Sequence, residues 1–329
     1  MKKILIITYS EDNECIERVK DALIEKNSET YRLDTDLFPT GVQLSLAENN
    51  KKKQVVISGP QGELNLEDIK SIWYRRVRLG EKIPGAMDPE LRNASIGEAR
   101  AVFFGFLESV DAFILDRVSK IRIASHKQVQ LQIAKKVGLE IPRTLTTNKP
   151  EAVREFFSTC KNGMITKMLS SFSVYEGDKE KVVFTNLVKA ADLEDLEGIS
   201  YCPMTFQENI PKKLELRITI VGNQVFAASL DSQASQLAQN DWRKDGRGLI
   251  DSWEGYSLPR RIETKLLKMM DYFQLNYGAV DIIVTPDNRH VFLEINPAGE
   301  FFWLEHYKPQ FPISRAIADV LLGEGFRRE

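Results

Sequence analysis

Apolar positions along the chain follow two periods, and the switches between them mark out its elements. Lys3 to Tyr9 is a β-branched apolar run, the pattern of a strand buried on both faces. Asn13 to Lys26 then carries Cys15, Ile16, Val19, Leu23 and Ile24 at helical spacing, with Ser10 or Asp12 as the expected N-cap. Thr30 to Leu33 returns to a strand. Strand, helix, strand in that order predicts a parallel α/β unit at the N-terminus. Next come a small hairpin from Gln54 to Ser58 and Gly62 to Leu64, a strand from Ser71 to Val77, a long helix from Asp88 to Ser109, and a short strand from Phe113 to Leu115.

The middle of the chain alternates in the same way. Gln128 to Val137 predicts a helix ended by Gly138, then an extended Arg143 to Thr147. A helix from Pro150 to Ser158, capped by Asn148 or Thr147, leads to a strand from Met164 to Leu169. Ser170 to Lys181 is polar and rich in turn residues, and is expected to move over the site beneath it. Val182 to Thr185 predicts a strand, Asp192 to Leu196 a short acidic helix, and Cys202 to Ile210 a strand that stops at Pro211. Leu214 to Val221 alternates apolar residues with Glu215, Arg217 and Thr219, so one face carries a carboxylate and a guanidinium two residues apart. Val225 to Leu230 follows through the turn at Gly222-Asn223. Asp241 to Gly248 is a charged loop holding two arginines, and helices are expected over Arg260 to Phe273 and Ile313 to Leu322.

The stretch from Leu275 to Glu300 carries the most chemistry. Gly278 to Val284 and His290 to Asn296 read as two apolar strands joined by Thr285-Pro286-Asp287-Asn288. Side chains on a strand alternate faces, so Glu294 and Asn296 point the same way, and an antiparallel pairing brings Asp281 onto that face. A single acid in a strand is more often a rim residue or a paired charge. Three such groups inside otherwise apolar strands instead suggest hard oxygen ligands for Mg²⁺, which in turn holds nucleotide phosphates. Lys167, flanked by apolar residues, is either a point charge for phosphate or an edge-strand lysine that blocks strand addition. Arg75, Arg76 and Arg78, beside Trp73 and Tyr74, either bind phosphate or a peptide carboxylate, or pair with acids of a neighbouring helix.

Composition narrows the classes. With 329 residues the chain is long enough for two or three packed units, and 43% hydrophobic with 28% charged residues is ordinary for a globular protein. A net charge of −2 supplies no global field for nucleic acid or an anionic membrane. Cys15, Cys160 and Cys202 show no metal-binding spacing and fit reduced thiols of a cytoplasmic protein. The apolar run after Met1 ends at Ser10-Glu11-Asp12 and reads as a first strand rather than a signal peptide. No apolar segment approaches the roughly 20 residues that span a bilayer. The turn after the first strand has no glycine, which argues against a dinucleotide site of Rossmann type.

A strand lysine, the segment QENI, the strand bearing ELR, an arginine loop and GAVDIIV…VFLEINPAGE, in that order, resemble the ATP-grasp superfamily over about residues 118 to 325. The resemblance implies an α/β architecture: two α+β subdomains clasping ATP, preceded by an N-terminal α/β pre-ATP-grasp lobe. The divisions expected are 1–117 for that lobe, 118–205 for the central subdomain with the leader-binding region, and 206–329 for the C-terminal subdomain with the metal site. It further implies that Lys167 holds the α- and β-phosphates and that Lys127 is the earlier nucleotide lysine. Gln207, Glu208, Asn209 and Ile210 are the implied adenine hinge, and Glu215 the ribose ligand. Arg217 and Arg243 would neutralise the transferred phosphoryl group, and Asp281, Glu294 and Asn296 would hold Mg²⁺. The loop after Lys167 departs from the family pattern, since it has Gly177 alone where several glycines are usual.

Within the superfamily, RLDTDLFP, IWYRR, MTFQENIPKKLELRITIVG and NPAGEFFWLE resemble the peptide ligases that cyclise microviridins and related ω-ester-containing peptides, nearly end to end. That resemblance implies a ribosomal precursor peptide as substrate, with a helical leader docked on the enzyme. Core Asp or Glu side chains would be phosphorylated by ATP and then attacked by Thr or Ser hydroxyls, and a homodimer is the expected assembly. Asp192, with Asp195, matches the place of a family contact to a leader arginine, although an acidic helix is as often a solvated face. A lactam-forming branch that uses Lys, an ATP-grasp ligase for small substrates, and a non-catalytic ATP-binding module are the competing readings. No Ser-His-Asp or Cys-His arrangement is apparent, and none of His126, His290 and His306 is assigned a role.

Overall fold

Strand β1 (Lys3–Thr8) pairs in parallel with β2 (Thr30–Asp34) across helix α1 (Glu14–Glu25). Three antiparallel strands, β3 (Gln43–Glu48), β4 (Lys53–Gly59) and β5 (Gly62–Asn65), form a sheet of their own. Strand β6 (Ile69–Tyr74) then lies parallel to β1, and α2 (Pro89–Glu108) leads to β7 (Phe113–Leu115), giving the order β2-β1-β6-β7. The sheet is covered on both faces, which explains the unbroken apolar run of β1. Ile4 and Ile6 pack in the core that holds α1, while Leu5 and Ile7 pack in the core that holds α2. The computed structural model describes residues 2–169, 185–235, 242–245, 248–308 and 310–328, with 173–176, 179–182 and Arg243 described for their backbone alone.

Two local expectations for this lobe change. Asn13, not Ser10 or Asp12, sits at the α1 N-cap, and its side chain makes no capping bond. The other two have tertiary partners: Asp12 accepts from Thr8 Oγ1 at 2.6 Å and Arg75 Nε at 3.1 Å, and Ser10 donates to Asp36. The hairpin expected around Pro60 gains β3, a strand so exposed that burial leaves little mark on its sequence.

Helices α3 (Val118–Ser125) and α4 (Lys127–Lys136) lead into β8 (Thr144–Thr147), α5 (Pro150–Thr159) and β9 (Met164–Lys167). The hairpin β10 (Ser173–Glu176) and β11 (Lys179–Val182) follows, then β12 (Asn186–Val188) and β13 (Met204–Glu208). The sheet order is β12-β9-β13-β8, over a small core of Val153, Met164 and Phe206. No α-helix forms from Asp192 to Leu196. A 3₁₀ turn, Ala190–Leu193, takes in its first two residues, and a second, Glu197–Tyr201, follows it. Asp192 Oδ2 accepts from Lys189 N at 2.7 Å and Asp195 Oδ1 from Glu197 N at 3.2 Å, and such short-range bonding competes with a helical ladder. Lys149 takes the α5 N-cap in place of Asn148 or Thr147. Of the strand expected at Val182 to Thr185, residues 183 and 184 lie outside the described residues.

The last part adds β14 (Leu214–Val221), β15 (Gln224–Leu230), β16 (Glu254–Gly255), α6 (Arg260–Phe273), β17 (Tyr277–Val284), β18 (His290–Asn296), α7 (Phe302–Tyr307) and α8 (Ile313–Leu322). The antiparallel order is β16-β15-β14-β17-β18. Leu216, Ile218, Val280, Ile282 and Ile295 share one core with Ile262, Leu266 and Met270 of α6, so the opposite face of the sheet is free to carry polar groups. Helix α8 packs in the core of β1 and α1, joining the two ends of the chain.

Asp116, just after β7, ties the lobes together. Its buried carboxylate accepts from Asn276 N at 2.8 Å, Asn276 Nδ2 at 3.0 Å and Tyr277 N at 2.9 Å. Burial outweighs those bonds and pushes its pKa up from 3.8 to about 6. The folded state therefore binds this proton more readily than the unfolded one. The stability carried by the protonated group is present below the unfolded pKa and is lost as pH rises through about 6. We expect the advantage of the wild-type chain over Asp116→Asn, read from urea midpoints, to be larger near about pH 4.5 than near about pH 7.5.

Candidate active site

Pairing of β14, β17 and β18 sets Arg217 opposite Asp281 and Asp281 opposite Glu294, so three charged residues stand in a row across the sheet. Asn296 lies two residues beyond Glu294, opposite Ala279. Arg217 Nη1 donates to Asp281 Oδ1 at 3.1 Å, and Lys127 Nζ at the start of α4 pairs with Glu294 Oε2 at 2.8 Å. Each carboxylate of the row thus has a cation within contact. Burial acts against the charge of Arg217, but Asp281 beside it raises the guanidinium pKa overall. Its Nε is buried and has no hydrogen-bond partner among the described residues.

This row floors a cleft of about 620 Å³ between the β8–β13 sheet and the β14–β18 sheet. Lys127, Lys167, Gln207, Glu208, Asn209 and Ile210 line it, as do Glu215, Arg217, Asp281, Glu294 and Asn296. Eleven residues singled out in the sequence are therefore brought to one cavity. Lys167 ends β9, where it pairs with Thr205 of β13. Gln207 is buried and donates to Thr144 Oγ1 at 2.9 Å, and the chain leaves β13 at Glu208. Glu215 Oε1 accepts from Lys212 Nζ at 3.0 Å and from Ser232 Oγ at 2.6 Å. The side chain of Arg243 lies outside the described residues. Asp192 and Asp195 do not line the cleft and are exposed.

The donor set fits a hard divalent cation. Among the described residues no three Asp, Glu, His or Cys side chains cluster, so the protein offers two carboxylates and one amide oxygen. That is the sparse set Mg²⁺ takes when phosphate oxygens and water complete its shell. Lys127 and Arg217 now supply the positive charge that such an ion would add. None of the three histidines lines the cleft.

Other residues at the cleft were hard to assign from sequence. Arg75 pairs with Asp12 and with Glu300, and Arg76 Nη1 reaches Glu300 Oε1 at 2.5 Å. Cys15 Sγ donates to Glu300 Oε2 at 2.9 Å, and burial pushes that thiol up to about 12. Arg75 and Arg76, which follow β6, thus pair with acids, but those acids lie in the loops before α1 and after β18 rather than on a neighbouring helix, and Arg76 also faces the cleft. The backbone carbonyl of Glu300 accepts from Arg217 Nη2 at 3.2 Å, so the N-terminal lobe braces the arginine of the row. Trp242 and Trp303 close one side of the cavity and pack on Trp253, with ring centroids 5.0 to 5.7 Å apart.

Residues 3–122 match the family model described as the MvdD pre-ATP grasp domain. A RiPP-associated ATP-grasp ligase from Chryseobacterium gregarium, solved in complex with ADP and a leader and core peptide, is 42% identical. That match covers 100% of this chain and 99% of the other, with a TM-score of 0.96. The macrocyclase MdnC of Microcystis aeruginosa MRC, bound with precursor peptide MdnA, is 48% identical over 98% of this chain and 99% of its own, with a TM-score of 0.88. The macrocyclase MdnB of the same organism is 37% identical over 98% and 99%, with a TM-score of 0.82. A search of the curated proteins finds no match.

Proposed function

The chain belongs to the RiPP-associated ATP-grasp ligases, and on that premise we propose that it closes macrocycles in a ribosomal precursor peptide at the expense of ATP. A carboxylate is a poor electrophile, because its leaving group would be oxide. Transfer of the γ-phosphoryl group to a core Asp or Glu forms an acyl phosphate, releases ADP, and leaves phosphate as the next leaving group. A Thr or Ser hydroxyl then attacks the acyl carbon, and an ω-ester forms as phosphate departs. Positioning and charge neutralisation dominate such a transfer, so an enzyme nucleophile is not required.

The row of Arg217, Asp281 and Glu294 on the floor of the cleft carries this reading. Asp281, Glu294 and Asn296 hold Mg²⁺, which when bound neutralises phosphate charge and aligns the phosphoryl group. Lys167 and Lys127 bind the nucleotide phosphates, Gln207 to Ile210 contact the adenine edge, and Glu215 the ribose. Arg217 and Arg243 offset the charge that develops during transfer. Asp192 and Asp195, which are exposed, take the leader peptide. The working units are 1–117, 118–205 and 206–329, and the enzyme acts as a cytoplasmic homodimer. Its three free cysteines fit a reducing compartment, and no described helix is long and apolar enough to cross a membrane.

ADP release that requires a leader-bearing precursor tests the proposal. We expect loss of one water per ring by mass spectrometry, and mild alkali to reopen the rings as esters do. Rings that survive alkali would move the chain to the lactam-forming branch. ADP release supported equally by free amino acids or small amines would contradict the peptide reading.

A further inference from the structure

Gln130 is fully buried one helical turn after Lys127, on the apolar side of α4 that also holds Ile133 and Ala134. Burying a primary amide costs free energy unless its donors and acceptor are matched. Here the matching is nearly complete, and two of its three bonds are directed at one residue. Gln130 Nε2 donates to Ile295 O at 2.8 Å and to Ala124 O at 2.6 Å, and Gln130 Oε1 accepts from Ile295 N at 3.0 Å.

Ile295 lies at the outer edge of the sheet, since β18 ends the strand order. An edge residue normally leaves its outward N–H and C=O without a strand partner. The Gln130 amide takes both, and so substitutes for a neighbouring strand at this one position. The Ile295 side chain is fully buried in the α6 core. Backbone and side chain of Ile295 are thus both fixed. The residues on either side of it, Glu294 and Asn296, project to the opposite face, into the cleft.

We propose that Gln130 is a positioning residue for the divalent-cation ligands Glu294 and Asn296, an inference that rests on the metal reading given above. Helix α4 grips β18 twice, and the two grips differ in kind. The Gln130 bonds to Ile295 are buried and permanent. The Lys127 contact with Glu294 is partly exposed and exchangeable, so Lys127 can turn to a nucleotide phosphate when a cation takes Glu294. With the backbone held by Gln130, that exchange does not let the two ligands drift apart.

The test is Gln130→Met in the full chain, which keeps the volume but removes every hydrogen bond. Calorimetry of ADP binding across a Mg²⁺ series is compared with leader-peptide binding. The expected result is a rise of tenfold or more in the Mg²⁺ concentration giving half-maximal effect, with metal-free ADP binding and leader affinity within twofold of wild type. A purely structural role would shift all three together, and an unchanged Mg²⁺ requirement in a folded variant would overturn the proposal. Glu294→Ala, run alongside, separates the premise: if it too leaves the Mg²⁺ requirement unchanged, the metal assignment itself fails. Should Gln130→Met not fold, hydrogen exchange on the wild-type chain decides. The Ile295 amide is expected to exchange as slowly as that of Ile282 before any nucleotide is added, and fast exchange there would overturn the inference.

Discussion

Glu294→Ala is expected to abolish ATP turnover, by at least about a thousandfold in kcat, while leader-peptide affinity stays within about twofold of wild type. The carboxylate is one of only two in the row, and it faces the lysine at the start of α4. Removing it takes away a proposed cation ligand, so the divalent charge at the phosphates is no longer held in place, and Lys127 loses the carboxylate it pairs with. Phosphoryl transfer depends almost wholly on such charge placement, which is why one side chain carries so large an effect. The leader-contacting residues of the proposal, Asp192 and Asp195, lie away from the cleft. Steady-state ADP release and fluorescence titration with leader peptide read the two quantities separately. Equal loss of both would mean that the two sites are not distinct.

Gly299→Ala is expected to slow turnover by about a hundredfold or more although it replaces no charged residue. A Cβ at residue 299 would stand 2.6 Å from Ala279 Cβ and 2.8 Å from Arg217 Nη2. Ala279 is fully buried on β17 and cannot retreat. The turn after β18 must then shift, and the Glu300 carbonyl that receives Arg217 Nη2 shifts with it. Arg217 loses its brace, and the guanidinium proposed to offset charge on the transferred phosphoryl group is misplaced. Single-turnover kinetics should show the loss in the chemical step, with ADP affinity little changed. A variant within threefold of wild type would show that Arg217 tolerates displacement and has no direct part in the transfer.

Much of this site was legible in the sequence because strand periodicity is local. Alternation alone puts Glu294 and Asn296 on one face, and the turn at Thr285 to Asn288 makes Asp281 join them. The spans of α6 and α8 matched their apolar periods end to end. What sequence pattern does not carry is partner choice between distant segments. The pairing of Arg217 with Asp281 needs β14 to find β17, 64 residues on. Arg75 and Glu300 are 225 residues apart, so the arginines after β6 left both ligand binding and ion pairing open. Gln130 is less visible still: one amide on an apolar helix face is unremarkable until its partner, 165 residues away, is known. The failed N-cap assignments at α1 have the same origin, since bonds to Asp36 and Arg75 hold Ser10 and Asp12 away from the helix start.

A crystal structure of the chain with ADP, magnesium and a leader-bearing precursor tests the central claim most directly. The expected density places the diphosphate over β17 and β18, with magnesium on Asp281, Glu294 and Asn296, Lys127 withdrawn from Glu294, and a core carboxylate within reach of Arg217. Nucleotide bound elsewhere, or Asp281 and Glu294 still engaged with Arg217 and Lys127 beneath an ordered ADP, would contradict it.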